Sequence, residues 1–399
     1  MILKRRQFLQ TGSLAAASLM LPRFLKAFEK PISFGSGNKV LVVLQLSGGN
    51  DGLNTVIPVR NDIYYQSRPG LGIAKEKSLS LTDEVGLHPA LTAMKSAYDD
   101  GFLGILNGVG YPNPDRSHFR SMDIWQTGSG ASEYTSTGWL GRYLDAQCPG
   151  CDQPTQALEI DDTLSLALKG TKMKGISLTD PGRLFNTSHE KYFKDILADH
   201  SMNGKEQLVD YLYKTMAETL SSAEYIFLQS KLHPAAGSYP KTTLGKRFQT
   251  IASLIFSDIN TKVYYVSLGS FDTHVNQPVQ QERLFTEMND AIAAFVSDLK
   301  SNHRFEDVLL MSFSEFGRRV SQNASGGTDH GTANSMFLLS GGLKQKGLLN
   351  EMPDLNDLSD GDLKQQVDFK QVYATILKKW LKADDLTIMG RSSNYLEFI

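Results

Sequence analysis

The chain has 399 residues, 41 basic and 43 acidic side chains, a formal net charge of −2 at pH 7 and 41% hydrophobic residues. That length and apolar content suffice for the core of one large α/β domain, with or without a cap. The charge balance leaves no basic stripe to grip a phosphodiester backbone, which argues against a nucleic-acid partner.

The N-terminus carries Lys4-Arg5-Arg6-Gln7-Phe8-Leu9, followed by a mostly apolar run from Gly12 to Leu21. A positive segment ahead of an apolar stretch too short for a permanent span reads as a twin-arginine signal peptide over residues 1–27. The expected partner is then the twin-arginine export machinery, and the expected location periplasmic or extracellular. Ala27 is a candidate cleavage residue, although Leu25 is large for its place. Removing residues 1–27 takes away Lys4, Arg5, Arg6, Arg23 and Lys26 and no acid, which moves the charge to −7. No later segment is apolar enough for a permanent membrane span.

Buried-strand runs follow at Lys39–Leu46, Phe102–Leu106, Val263–Leu268, Val308–Phe313 and Met336–Leu339. Between them lie helical periodicities: Leu244, Phe248, Ile251 and Ile255 share one face, and Leu284, Met288, Ala291, Ile292, Phe295 and Leu299 another. Strands separated by helices predict a doubly wound, mostly parallel sheet with helices on both faces. Residues 28–399 form one such domain, with 150–240 as an inserted cap region containing a long helix from Leu208 to about Leu232. Cys148 and Cys151 form a CPGC loop that reads as a short disulfide staple rather than a redox pair, because a helix ends there instead of starting. Pro353–Asp362 reads as a solvated loop, and Val367–Trp380 as a closing helix.

Several acids and histidines fall just beyond, or just ahead of, these strands: Asp51, Asp272, His274, Glu315, Asp329 and His330. Open α/β sheets build their sites at the carboxyl edge. Oxygen and imidazole ligands converging there suit a divalent metal, with zinc, calcium and magnesium all open. His88 reads as structural. Gly48-Gly49 is no phosphate loop, since the Gly-Lys-Ser ending is missing, and no HExxH or GxSxG element points to a peptidase.

Seven blocks in order carry a family resemblance: LQLSGGNDGLNTVIP, HPAL, PDRSHFRSMDIWQTG, SEFGRR, TDHGTANSMFLLSGG, DFKQVYATILKKWL and the twin-arginine leader. Together they resemble the exported bacterial family grouped as domain of unknown function 1501. That group is similar to the alkaline phosphatase and sulfatase superfamily, which has a doubly wound sheet with metal ions at its carboxyl edge. The resemblance implies Asp51 as the first metal-binding acid, Asp272 and His274 as the pair after the middle strand, and His330 as a last ligand. It also implies Ser117 as the nucleophile opening a helix, with His118 or His330 as general acid. Arg116 and Arg318 are candidates to grip a phosphate or sulfate through the guanidinium fork. The chain departs from the superfamily at Glu315-Phe316, which stands where Asp-His is expected. Phe binds no metal, so one ligand of a two-metal arrangement is lost unless Asp329 replaces it. Two functions follow: an exported metal-dependent hydrolase of phosphate or sulfate esters, or a non-catalytic binding or assembly protein of the cell envelope that keeps the hydrolase fold. The anionic ester could be a small molecule, a carbohydrate or a lipid headgroup.

Overall fold

The computed structural model describes residues 39–147, 154–191 and 207–399. The leader and the CPGC pair lie outside the described residues. The strands in chain order are β1 (Val40–Leu46), β2 (Val56–Pro58), β3 (Leu79–Ser80), β4 (Val85–Leu87), β5 (Leu103–Gly110), β6 (Ala157–Glu159) and β7 (Ile176–Ser177). There follow β8 (Val263–Leu268), β9 (Val308–Phe313), β10 (Asn334–Leu339), β11 (Gly347–Leu348), β12 (Leu358–Ser359), β13 (Asp362–Leu363) and β14 (Val367–Asp368).

Nine of them make one sheet in the order β11-β5-β10-β9-β1-β8-β6-β7, with β14 also on β5. β1 pairs in parallel with β8 and β9, and β6 in parallel with β7 and β8. β10 is antiparallel to both of its neighbours, β5 and β9, and is the one reversed strand. The mixed α/β fold with a largely parallel sheet is therefore as expected.

β1 shows why the sheet is covered twice. All seven of its residues are buried. Val40, Val42, Leu44 and Leu46 enter one core cluster, while Leu41 and Val43 enter the other, as the two-residue period of a strand requires. The first cluster is closed by the helices Thr92–Asp99, Thr243–Phe256 and Gln277–Ser301. The second is closed by α1 (His118–Thr127), Trp139–Gln147 and Phe369–Thr375. There Trp125 stacks on Phe369 with ring centroids 4.3 Å apart, and Trp139 on Tyr373 at 4.1 Å.

The region expected as a cap supplies β6 and β7, so part of it extends the edge of the main sheet. The long helix is Gln207–Leu232, and its Ile226 enters the first core cluster. Two expectations change near the C-terminus. Val367–Asp368 is a short strand on β5, and the helix begins only at Phe369, because Asp368 caps it through the Lys370 amide. The supposed solvated loop is in part the hairpin β12–β13, and Asp362 within it is fully buried beside Arg116 and Arg319. Among the described residues no helix is long and apolar enough to cross a membrane.

His88 is buried at 4% exposure, accepts the Ala90 amide at Nδ1 and packs edge-on against Phe285. Burial pushes its pKa down to about 4. The unfolded chain then binds a proton between pH 6.5 and 4 that the folded chain refuses, so this group's stabilisation is present above pH 6.5 and is lost as pH falls through 4. The effect should approach about 3 kcal/mol. Urea unfolding at stepped pH should show a steeper acid loss in the wild type than in a His88→Gln variant; equal slopes would contradict it.

Candidate metal centre

The centre is assembled from loops at the carboxyl edge of the parallel strands. The chain leaving β8 delivers Asp272 and His274, and the chain leaving β9 delivers Glu315. His330 precedes its strand rather than following it. It reaches the same edge because β10 runs antiparallel, which puts the start of β10 beside the ends of its neighbours. His118 is the first residue of α1, whose cap residue is Ser117 and whose C-terminus is closed by Gly128 in the left-handed region at φ 68°.

The loops touch closely. Gly48 has φ 120°, and a Cβ there would lie 2.5 Å from the Asp272 nitrogen. At Gly49, φ 74°, a Cβ would overlap the Phe316 ring. Only glycine fits both positions, and their carbonyls then face Arg318. Its guanidinium is buried and donates to the carbonyls of Gly48 and Gly49 (2.5 and 2.6 Å), Thr328 and Phe271 (both 2.9 Å) and to Asp272 Oδ1 (2.8 Å).

Around Asp272 three imidazoles converge. His274 Nε2 and His330 Nε2 lie 3.0 and 3.2 Å from Oδ1 and 2.9 Å from each other. His118 Nε2 lies 3.5 Å from Oδ2 and, although this atom is buried, has no hydrogen-bond partner among the described residues. The opposite nitrogen of each ring is engaged: His118 Nδ1 with Glu315 Oε1 at 2.9 Å, His274 Nδ1 with Asp329 Oδ1 at 3.2 Å, and His330 Nδ1 with the Arg116 carbonyl at 2.9 Å. A carbonyl or a carboxylate can only accept, so all three Nδ1 atoms carry the proton. A neutral ring protonated at Nδ1 carries its lone pair on Nε2, so each ring can offer that atom to a cation beside the Asp272 carboxylate.

Burial alone would raise the Asp272 pKa, but above all the hydrogen bond from Arg318 holds it down to about 2, so it is a carboxylate. The hydrogen bond to Glu315 raises the His118 pKa, whereas burial lowers that of His330. For Asp329, the Asn323 hydrogen bond is the largest influence and lowers the pKa. Lone pairs and negative charge packed this tightly call for a cation. Four spacings of 2.9–3.5 Å, two histidines to Oδ1, His118 to Oδ2 and His274 to His330, lie near the roughly 3.3 Å between ligands of a tetrahedral zinc-like ion, and His118, Asp272 and His330 each offer an atom within 4.8 Å of the others. The side chains of Asp272 and His274 remain 48% and 38% exposed, which leaves the group open to solvent on one side.

Of the ten residues expected at a site, His118, Asp272, His274 and His330 come together. Glu315 and Asp329 stand behind two of the rings, on the far nitrogens. Asp51 is elsewhere: its Oδ2 takes Arg68 Nη1 at 2.6 Å and Gln277 Nε2 at 2.5 Å, and its Oδ1 takes the Leu53 amide. It caps a one-turn helix and pairs with a buried arginine, and no hydrogen bond joins its side chain to the group among the described residues. Arg318 faces the protein interior, where each of its three nitrogens already donates to a carbonyl. Arg116 directs its guanidinium to Asp360 and Asp362, and only its carbonyl serves the centre. Ser117 is exposed; its hydroxyl makes no capping bond, and its amide donates to Asp115 Oδ1 at 2.7 Å. Arg68 and Gln277 were not foreseen. Arg68 sits in Ser-Arg-Pro-Gly, which looks like an exposed turn, and no periodicity signals its burial.

The family model "Protein of unknown function (DUF1501)" matches residues 103–391. No curated protein matches the chain. Among solved structures, the C-terminal periplasmic domain of EcEptC from Escherichia coli, in complex with Zn, is 11% identical with a TM-score of 0.38 over 77% of this chain and 74% of that one. Phosphonate monoester hydrolase SpPMH from Silicibacter pomeroyi is 8% identical with a TM-score of 0.41, over 90% and 78%. The PsFucS1 sulfatase from Pseudoalteromonas sp. is 12% identical with a TM-score of 0.37, over 94% and 72%. At such distance no residue role is transferred from them. The family match spans most of the sequence, and the chain belongs to the DUF1501 family.

Proposed function

We propose that this protein is an exported, metal-dependent hydrolase of phosphate or sulfate esters, with one ion held by His118, His274, His330 and Asp272. The observation that carries the reading is the fixing of all three Nδ1 protons by Glu315, Asp329 and the Arg116 carbonyl. Metal-bound histidines nearly always donate their far N–H in this way, and the donation sets ring orientation and basicity.

Three imidazole nitrogens and one carboxylate suit a borderline transition ion such as zinc. Calcium takes six to eight oxygens and magnesium an octahedron of oxygens and waters, so those two alternatives fit the donor set poorly. When bound, such an ion supplies Lewis acidity to an ester oxygen. The chain supplies the rest. Ser117 stands next to His118 at the free N-terminus of α1, where unpaired amides and the helix dipole favour an anionic group. Its uncapped hydroxyl is the nucleophile of this reading. His118 acts in holding the ion, in place of the acid role expected from the sequence.

The second reading, a binding or assembly protein of the cell envelope, is favoured by Phe316. It is buried against His118 and His330, with ring centroids 4.8 and 4.7 Å away, where a second ion's ligand would otherwise stand. Turnover separates the two.

Elemental analysis of protein purified without chelator should find about one zinc-type ion per chain. His274→Ala should lose it, and Glu315→Gln should weaken affinity by about 10–100-fold. No ion in the wild type, even after equilibration with zinc, cobalt or manganese, would end the metal reading. Asp51→Ala should behave differently: it strands Arg68 and costs about 3–5 kcal/mol of stability in urea unfolding, yet the folded protein keeps its ion. Loss of metal with unchanged stability would place Asp51 in the centre after all. Ser117→Ala should keep the ion and lose hydrolysis of 4-nitrophenyl phosphate or sulfate. A metal-loaded wild type that turns over neither ester supports the binding protein.

A further inference from the structure

Beside the centre lies a cavity of about 800 Å³, walled by three segments. One is the stretch from Gly110 to Arg116 that ends β5 and runs into Ser117. A second is the β12–β13 hairpin with Lys364 and Gln365 beyond it, and the third is Thr332-Ala333, just after His330. Arg116 belongs to both places: its side chain lines the cavity while its carbonyl holds His330. On the hydrolase reading, an ester at Ser117 lies next to this space through Arg116, with the part of the molecule that does not react toward it. The volume lies in the usual range for a small-molecule site and far exceeds what a tetrahedral oxyanion fills.

The lining chemistry narrows what fits. Both cations are already matched, Arg116 by Asp360 and Asp362, and Lys364 by Asp357. A second anionic group would find no unpaired partner. Of the apolar lining residues, Tyr111, Ala333 and Leu363 are almost fully buried, and Pro112 and Pro114 are exposed. The uncommitted groups are neutral and polar. The amides of Asn113 and Gln365 and the hydroxyl of Ser359 are solvent-exposed, bond to no protein group among the described residues, and each both donates and accepts.

We propose that this cavity binds the alcohol portion of the ester, and that this portion is polyhydroxylated, about one or two sugar rings in size. Amides and a hydroxyl that donate and accept match a ring of hydroxyl groups, and the two proline rings offer surface to its C–H face. The assignment rests on the hydrolase reading for its orientation, though the cavity and its chemistry stand independently of turnover.

The test compares galactose 6-sulfate and glucose 6-phosphate with 4-nitrophenyl sulfate and phosphate, on the metal-loaded full chain. The variants are Gln365→Ala with Asn113→Gly, where glycine keeps the φ of 55° that Asn113 adopts, and Ser359→Trp, which fills the space. Loss of two uncharged hydrogen bonds should lower the hexose-to-aryl ratio of kcat/KM by about tenfold. A ratio that does not move in either folded variant overturns the proposal. If no ester is hydrolysed, the hydrolase reading fails, and calorimetric titration with the same two hexose esters decides the cavity. Binding that is lost in the variants upholds it, and no binding to the wild type overturns it.

Discussion

Arg318 donates to the carbonyls of Gly48, Gly49, Phe271 and Thr328 and to the Asp272 carboxylate, and in doing so ties together the loops that follow β1 and β8 and the one that precedes β10. A buried guanidinium is tolerable only when every donor is satisfied, and here the satisfying groups belong to the segments that must converge. The arginine expected to hold substrate instead fixes the distance between Asp272 and the two histidines beside it. Gly48 and Gly49 are the complement of that arrangement, since any side chain on them would push the loops apart.

The second constraint is topological. A site at the carboxyl edge of a parallel sheet draws naturally on residues just after each strand, and Asp272, His274 and Glu315 obey that rule. His330 joins them from the other direction through the reversal of β10. Glu315 and Asp329 then complete the group from behind, fixing protons on the outer nitrogens so that the inner ones face a common point. Such outer hydrogen bonds set the orientation of each ring, which is what a tight ion site requires of its surroundings.

Much of this was legible in the sequence. Continuous apolar runs such as KVLVVLQL and VLLMSF read as strands buried on both faces, and polar residues next to such runs are brought to one edge. Asp272, His274 and His330 were found in that way. The pattern does not show which way a side chain turns once it arrives. Asp51 and Arg318 occupy the expected segments but face inward, because their partners, Arg68, Gln277 and a set of backbone carbonyls, carry no periodic signature. His118 is, with His330, a candidate for proton transfer in the sequence; its distance to Asp272 depends on how α1 packs against the sheet. Asp362, in a stretch rich in Asp, looked solvated, and only the pairing of β12 with β13 beside Arg116 and Arg319 buries it.

The central claim is that three imidazoles and one carboxylate share a single ion. X-ray absorption at the zinc edge of the loaded protein reads this directly. The account predicts about four nitrogen or oxygen neighbours near 2.0 Å, with the outer-shell scattering of three imidazole rings and no sulfur. A shell of oxygens without imidazole scattering would place the ion elsewhere and contradict it.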